Sequence, residues 1–494
     1  MEERVTEGDR VVGEGYERLG AKKLSLIDVL AQSVGFVGPV FVAAFIIPLM
    51  FGFNAAGKGA GTSAGLAVLL SAIGIFALAW IIATYAKRIH AAGSLYDYVT
   101  QGLGKTIGAA SGWLYYGGTI ILTTALGVLI GGYVHDSLLP AWDIDLDIPI
   151  WVWDVIFAVG LFAVLYFGVR ISTRLQLTLA LISIAVVLIF LITVIADLGS
   201  ANDVAKAFDP TPEPGGFSGI LFGVLYGVLA FVGFETAANL AEETADPKRS
   251  IPRAVLGAVA IVTIFYLIAA YTEVAGFGFD LSVILDPAVA SAPLFALADP
   301  TSPFGSEFWL KIVLLVVFLD MLAVYIGAGV ASTRGTFALA RDRRLPGAFA
   351  KVSKRFGTPA GAIVFLMVVQ AILIWAAEGA SDTLLALPGL PHYFSIFAWG
   401  ATFGSIALAV VYLVLSVGGL VGLRKDPGYA AVVVASIIGI VVMAAAIFGS
   451  FYKVPSPTLL APIYVLIWGA IGLVYMVIVK GREPASTALP ELRG

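Results

Sequence analysis

The sequence predicts an all-α membrane protein with twelve transmembrane helices, and three observations lead to this fold class. Of the 494 residues, 60% are hydrophobic and 13% are charged, whereas soluble domains carry about 25% charged residues. The mean hydropathy is +0.97. The apolar residues also gather into runs of about 20, the length with which an α-helix crosses about 30 Å of hydrocarbon. A soluble multidomain enzyme is therefore excluded.

Twelve hydrophobic segments have about this length. Each is predicted to be a helix, because a helix satisfies its own backbone groups within lipid. The segments are Leu24–Met50, Gly65–Ala86, Ile107–Tyr133, Ile148–Val169, Leu175–Ile195, Phe217–Leu240, Ala254–Phe277, Phe308–Phe337, Ala360–Ala377, Phe394–Val421, Tyr429–Phe451 and Leu459–Val479.

Lysine and arginine residues are concentrated on one predicted side of the membrane. With twelve spans both termini share a side, and 24 of the 29 basic residues fall there. Four fall on the other side and Arg334 lies in the last turn of the eighth segment. Cytoplasmic loops carry the excess of basic residues. We therefore expect a multi-pass protein of the cytoplasmic membrane whose tails, 1–23 and 481–494, are both cytoplasmic.

Composition also limits the function. The net charge of -4 argues against a nucleic-acid partner. The absence of cysteine removes thiolate metal sites and cysteine nucleophiles. No H-E-x-x-H motif and no phosphate-binding loop occur, so we expect neither an enzyme nor an ATP-driven pump. No metal or cofactor is expected beyond a coupling H⁺ or Na⁺, and the sequence leaves the oligomeric state open.

The first and sixth segments look interrupted. Both contain Phe-Val-Gly, at Phe36–Gly38 and at Phe231–Gly233, five segments apart. Matching interrupted helices are typical of transporters built from inverted repeats, although membrane helices also use glycine simply for close packing. An odd number of spans inverts the second copy. We predict repeats at 24–198 (segments 1–5) and 199–423 (segments 6–10), with segments 11 and 12 appended at 424–480.

The stretch from Phe231 to Ala254 contains Gly-Phe-Glu, Ala-Glu-Glu and Pro-Arg-Ala elements. Four shorter motifs accompany it, at Ala92–Tyr98, Gly168–Gln176, Ala331–Pro346 and Gly357–Pro359. Together these motifs resemble the amino acid–polyamine–organocation (APC) superfamily. The resemblance implies the two-repeat fold with broken helices 1 and 6, and coupled uptake of an amino acid or related amine by alternating access. An exchanger or a polyamine or organocation carrier is the alternative, and a channel or nutrient sensor on the same fold is a more remote one.

We expect the substrate to bind between the two interruptions, because half-helix starts attract anions and unwound carbonyls accept from ammonium groups. Pro39 follows Gly38 where many family members carry a Gly-Ser/Ala-Gly-Ile-like run. It removes one N–H donor from that site, which argues against a standard α-amino acid. The predicted substrate-binding residues are Ser33, Gly35, Phe36, Val37, Gly38, Phe231, Gly233 and Phe234.

Two acidic residues lie in the middle of apolar spans, where a charge costs several kcal/mol. Glu235 is predicted to be a gate or proton carrier, and the alternative is a protonated side chain that joins two helices. For Asp320 the sequence leaves four roles open: a gate, proton coupling, binding of a substrate amine, and helix packing. Asp28, Asp154 and Glu273 lie near span ends, where hydration costs little, and we expect no functional role for them.

A sodium site is the alternative to proton coupling. Ser332 and Thr333 could supply two hydroxyl oxygens, with carbonyls near Val34 and in the fifth segment completing about six ligands. Back-bonding of both hydroxyls to the preceding turn is an equally good interpretation. A proton needs only one titratable group, so the sequence slightly favours proton coupling.

Overall fold

The structure of the protein is a computed structural model that describes residues 24–53, 57–211, 215–290, 292–380, 391–452, 454, 459–479 and 481. The predicted tails, 1–23 and 481–494, fall outside this range except for Gly481. The regular structure of the described residues is helical apart from isolated bridges of extended backbone, such as the one between Leu24 and Thr244. The all-α fold class is confirmed.

The long α-helices follow the predicted segments closely, and four shorter helices lie between predicted segments 2 and 3 and between segments 7 and 8. In chain order they are α1 (Leu26–Val37), α2 (Pro39–Phe41), α3 (Ile47–Phe51), α4 (Ala64–Ala86), α5 (Leu95–Leu103), α6 (Lys105–Tyr133), α7 (Ile150–Phe167), α8 (Val169–Leu198), α9 (Gly216–Ala230), α10 (Pro247–Ala275), α11 (Leu281–Ile284), α12 (Pro287–Ala290), α13 (Pro293–Ala298), α14 (Glu307–Arg341), α15 (Ala360–Ala380), α16 (His392–Gly422), α17 (Tyr429–Phe451) and α18 (Leu460–Ile478).

Eleven helical stretches of the described chain are long and apolar enough to cross a membrane. The predicted ninth segment corresponds to α15, whose described apolar part, Ala360–Ile372, is shorter. The protein is thus a multi-pass membrane protein, and the count of twelve spans stays a prediction.

The first span breaks at Gly38. Helix α1 ends at Val37, and Gly38 has φ +58°, a left-handed conformation that favours glycine. Pro39 then starts a helical run over 39–51, made of α2, the π-helical turn Val42–Ile46 and α3. Proline suits the first helical position because its φ is already helical.

The sixth span breaks in the same way. Helix α9 ends at Ala230, Gly233 has φ +117°, and a 3₁₀ helix over Phe234–Glu243 continues the chain. In both Phe-Val-Gly copies the glycine is the left-handed residue at the interruption. The prediction of broken helices 1 and 6 is confirmed, while the exact repeat boundaries stay a prediction.

Helix α14 is the longest element and packs against α1, α6 and α8. Its 35 residues extend about 52 Å, well beyond the hydrocarbon core. Helix α14 is therefore long enough to lie alongside both interruptions. We call the end of the bundle that carries Arg88, Arg341 and Arg344 the basic face, and the other end the opposite face.

Three acidic side chains near span ends are buried rather than hydrated. Asp28, Asp154 and Glu273 are 5%, 1% and 0% exposed. Asp28 accepts a hydrogen bond from the Ser25 backbone N–H at 2.9 Å and so caps α1. Asp154 fills the space left by Gly131, and the end of α10 beyond Glu273 is covered by α13. Packing of neighbouring elements, which span ends do not reveal, excludes the water.

We predict that Gly38→Ala destabilises the protein. A Cβ at Gly38 would lie 1.9 Å from Val324 Cγ2, and left-handed backbone plus overpacking costs roughly 2–4 kcal/mol. The melting temperature in detergent should fall. Adding Val324→Ala should recover part of the loss.

The matched control is Gly160→Ala in α7, where an added Cβ meets no atom within 4 Å. It should melt at or above the wild-type temperature, because alanine is the better helix former. Equal melting of the two alanine variants would contradict the left-handed break.

Candidate functional site

The two interruptions touch each other. A Cβ added to Gly233 would lie 2.8 Å from Val37 N and 3.0 Å from Phe36 C. Only the absence of a side chain at Gly233 permits this backbone approach. The structure thus brings together the two stretches from which the sequence predicts a substrate site.

Ser33 joins the interruptions by hydrogen bonds. Its hydroxyl donates to Phe234 O at 2.8 Å and accepts from Ala237 N at 3.2 Å. Phe234 and Ala237 lie three residues apart in the first turn of the 3₁₀ helix, so one hydroxyl bridges a carbonyl and an N–H of the same turn. A side chain of the first broken helix therefore satisfies the backbone of the second.

Helix α14 forms a third wall. Gly327 packs against Phe36 so closely that a Cβ added to Gly327 would lie 2.6 Å from the Phe36 Cβ. Gln32 Nε2 donates to Gly327 O at 3.2 Å. The small-residue face of α14 lets the broken helix come close.

Asp320 caps the half-helix that begins at Pro39. Its Oδ2 accepts from Val40 N and from Phe41 N, both at 2.8 Å, and the side chain is 0% exposed. Pro39 has no N–H, so Val40 and Phe41 supply the first free donors of this half-helix. A carboxylate of the protein itself occupies the place at which the sequence predicts an anionic substrate group.

Glu235 lies at the start of the second half-helix. Its Oε1 accepts from the Tyr115 hydroxyl of α6 and its Oε2 from Gly233 N at 3.2 Å. The side chain is 0% exposed. The bond to Tyr115 joins the sixth span to α6. Both the gate or proton role of Glu235 and the helix-joining alternative stay predictions.

The other predicted substrate residues are buried around this contact. Gly35, Val37 and Phe234 belong to the same buried stretches. The Phe231 ring meets Tyr266 with centroids 5.2 Å apart, and the Tyr266 hydroxyl donates to Ala230 O at 2.7 Å.

The residues proposed for sodium are arranged differently. Thr333 Oγ1 donates to Gly329 O of its own helix at 2.8 Å, and Ser332 Oγ lies 3.4 Å from Thr123 Oγ1. The Val34 side chain packs between α8 and α10. Among the described residues, these three do not hydrogen-bond to one another.

A buried ion-pair cluster on the basic face was not predicted from the sequence. Arg334 Nε bonds Glu243 Oε1 and Arg341 Nη1 bonds Glu242 Oε1, each at 2.8 Å. Glu242 Oε1 also accepts from Ala92 N at 2.9 Å. Arg334 inside an apolar segment was the available signal, because a buried arginine requires a partner.

Aromatic rings fill the opposite face. The Phe45 ring lies 5.9–6.4 Å from four rings that belong to other spans or loops, and all of these but Phe295 are buried. These rings belong to Tyr133, Phe295, Phe394 and Phe397. Together with the ion-pair cluster, they close the central contact from both ends.

Comparison with known proteins identifies the family. The sequence profile described as "Amino acid permease" matches residues 44–483. The chain belongs to the amino acid permease family. The match includes the second interruption and begins just after the first.

Individual relatives agree with this assignment. The methylthioribose transporter of Bacillus subtilis is 25% identical over 69% of this chain and 71% of its own. The branched-chain amino acid permease BcaP of the same organism is 24% identical over 64% of this chain and 67% of its own. A crystal structure of a mutant manganese transporter from Eremococcus coleocola superposes with a TM-score of 0.57 at 13% identity, over 92% of this chain and 96% of that one. This last likeness concerns the fold alone.

We predict strong energetic coupling between Arg341 and Glu242, whose side chains are 1% and 3% exposed. Removing either partner leaves a buried charge and should cost roughly 3–5 kcal/mol. The double variant Arg341→Ala/Glu242→Ala should therefore lose much less stability than the sum of the single variants, as measured by melting in detergent.

The control pair is Arg88–Asp426, with side chains 38% and 17% exposed. The same cycle there should give a coupling of about 0–1 kcal/mol. Equal coupling energies in the two pairs would contradict the prediction that the buried pair is coupled more strongly than the exposed one.

Proposed function

We propose that this protein is a secondary active transporter that moves an amino acid or related amine across the cytoplasmic membrane by alternating access. The observation that carries the proposal is the direct contact of the two interruptions, at Gly233 against Phe36 and Val37. It supports a ligand site midway through the bundle, where unwound backbone supplies polar groups within lipid.

The closures at the two ends support alternating access. Ion pairs close the basic face and aromatic rings close the opposite face. A carrier must open one closure at a time, and the two are chemically distinct. Charged pairs can separate into water on one side, while rings can repack on the other.

The relatives support the substrate class at a coarse level. By their names, one relative transports methylthioribose and another is a permease for branched-chain amino acids. Methylthioribose carries neither a carboxylate nor an amine, so the family relatives do not all share a carboxylate-bearing ligand. An exchanger of amino acids or amines remains the second candidate, because the same closures serve exchange.

Proton coupling is the mechanism that the site supports best. Glu235 is a buried carboxyl at the start of a half-helix, where a proton could be gained and lost as one closure opens. The Ser332 and Thr333 hydroxyls are engaged with Thr123 and with the preceding turn. That arrangement supports packing more than a sodium site. Both termini lie in the cytoplasm in this proposal, as the distribution of basic residues indicates.

The carrier proposal is tested in proteoliposomes. A carrier shows saturable counterflow, in which internal unlabelled substrate speeds the entry of labelled substrate. A linear, non-saturating flux without counterflow would indicate a channel and contradict the proposal.

We predict that Glu235→Gln abolishes uptake driven by a pH gradient but retains counterflow, because exchange of loaded carriers needs no net proton movement. The amide keeps the size of the side chain and a bond to Tyr115. Uptake and counterflow in proteoliposomes measure the two activities separately.

Two controls accompany this variant. Tyr115→Phe removes the hydrogen bond and keeps the carboxyl, so it should retain pH-driven uptake at a reduced rate. Thr333→Ala should have no effect on ion dependence. Uptake that requires a sodium gradient at symmetric pH and disappears in Thr333→Ala would overturn proton coupling in favour of sodium.

A further inference from the structure

Both half-helix starts at the central contact are already neutralised by carboxylates of the protein. Asp320 Oδ2 accepts from Val40 N and Phe41 N at 2.8 Å. Glu235 Oε2 accepts from Gly233 N at 3.2 Å, next to the start of the 3₁₀ helix. The positive ends of the two half-helices are the groups that would attract an anion. A substrate carboxylate would therefore compete with a side chain already in place at each of them.

The remaining helix ends at the contact are negative. Helix α1 runs from the basic face and ends at Val37, and α9 runs from the opposite face and ends at Ala230. Both present the carbonyl end of the helix dipole to the site, and this end favours cations. The charge of the central contact is thus that of a cation site.

Asp320 also has an unused acceptor. Its Oδ1 is buried and has no hydrogen-bond partner among the described residues. A buried carboxylate oxygen without a donor is costly, so this atom is suited to a donor brought by a ligand. Asp320 Oδ2 would lie 3.3 Å from a Cβ at Gly38, which places the carboxylate directly at the first interruption.

No basic residue of the described chain is placed to satisfy this oxygen. The buried arginines are Arg334, Arg341 and Arg344. Even the nearest of them along α14, Arg334, is fourteen residues from Asp320, about 21 Å along the helix axis. Arg334 moreover pairs with Glu243 on the basic face.

We propose that Asp320 is the counter-ion for the ammonium group of the substrate, and that the substrate is an organic amine without a carboxylate beside that ammonium. The inference rests on the proposed transport function and narrows its substrate class. The ammonium donates to Asp320 Oδ1, while the carbonyl ends of α1 and α9 favour the same positive charge. An α-amino acid would bring a second carboxylate against Asp320, and two like charges about 4 Å apart inside a protein repel strongly.

The test uses ligand pairs that differ only at the carboxylate. Purified protein in detergent is titrated calorimetrically with isoamylamine, leucinamide and leucine. Leucinamide has nearly the shape of leucine without its negative charge. We expect at least one amine or amide to bind about a hundredfold more tightly than its acid counterpart, as like-charge repulsion implies. Equal or tighter binding of the acids would overturn the proposal.

Asp320→Asn tests the residue itself. The amide oxygen can still accept from Val40 N and Phe41 N, so the half-helix keeps its cap. The variant should lose most of its amine affinity and reduce or reverse the preference for amine over acid. Glu273→Gln is the matched control, because it also removes a carboxyl that is 0% exposed and without a partner among the described residues. It should keep the preference.

Each further outcome decides the proposal. An unchanged ratio in Asp320→Asn would overturn it, as would a wild-type protein that binds a neutral sugar such as methylthioribose and none of the amines. Stabilisation by sodium chloride over choline chloride that disappears in Asp320→Asn, without any effect of amines, would assign the oxygen to a metal cation instead. If the variant does not fold, the wild-type comparison of leucinamide with leucine decides.

Different results would contradict the proposed transport function and the proposed ligand class. Binding of amines without counterflow of the same amines in proteoliposomes would contradict transport and leave the ligand class standing. Counterflow of leucine at least as strong as that of isoamylamine and leucinamide would contradict the ligand class and leave transport standing.

Discussion

The architecture depends on satisfying the backbone groups that are set free where two helices stop halfway through the membrane. In lipid an unpaired N–H or carbonyl costs several kcal/mol, so each must find a partner within the protein. Here side chains from other helices supply them. The Ser33 hydroxyl donates to Phe234 O, and the Tyr266 hydroxyl donates to Ala230 O. Asp320 accepts from the N–H groups of Val40 and Phe41. These bonds hold the interruptions together and determine which polar atoms remain for a ligand.

The buried acidic residues have different roles because their surroundings differ. Glu242 and Glu243 meet arginines of α14 and close the basic face. Glu235 meets a tyrosine hydroxyl and a backbone N–H. Asp320 meets two backbone N–H groups with one oxygen and keeps the other oxygen free of partners in the described chain. Acidic residues therefore serve both closure and helix joining in one bundle, and ligand attraction is the role that we propose for the third kind of surrounding.

Glycine allows these arrangements at two positions in particular. Gly38 and Gly233 adopt left-handed backbone, and Gly233 also permits the contact with Val37. A larger residue would separate the interruptions and remove the bridge made by Ser33. The family relationship, found at about 25% identity, is compatible with this dependence on a few local features, since most of the remaining sequence needs only to be apolar and helical.

The sequence by itself determined the fold class, the position of the helices and the two interruptions. Hydropathy, helix length and the repeated Phe-Val-Gly are local properties that the membrane constrains tightly. It also singled out Glu235 and Asp320, because charge is rare within spans. Only the tertiary structure decided what these carboxylates contact, that Glu242 and Arg341 pair, and that Glu273 is shielded from water. Those outcomes depend on residues from different helices meeting across up to 280 positions of sequence, and helical periodicity carries no information about which faces meet.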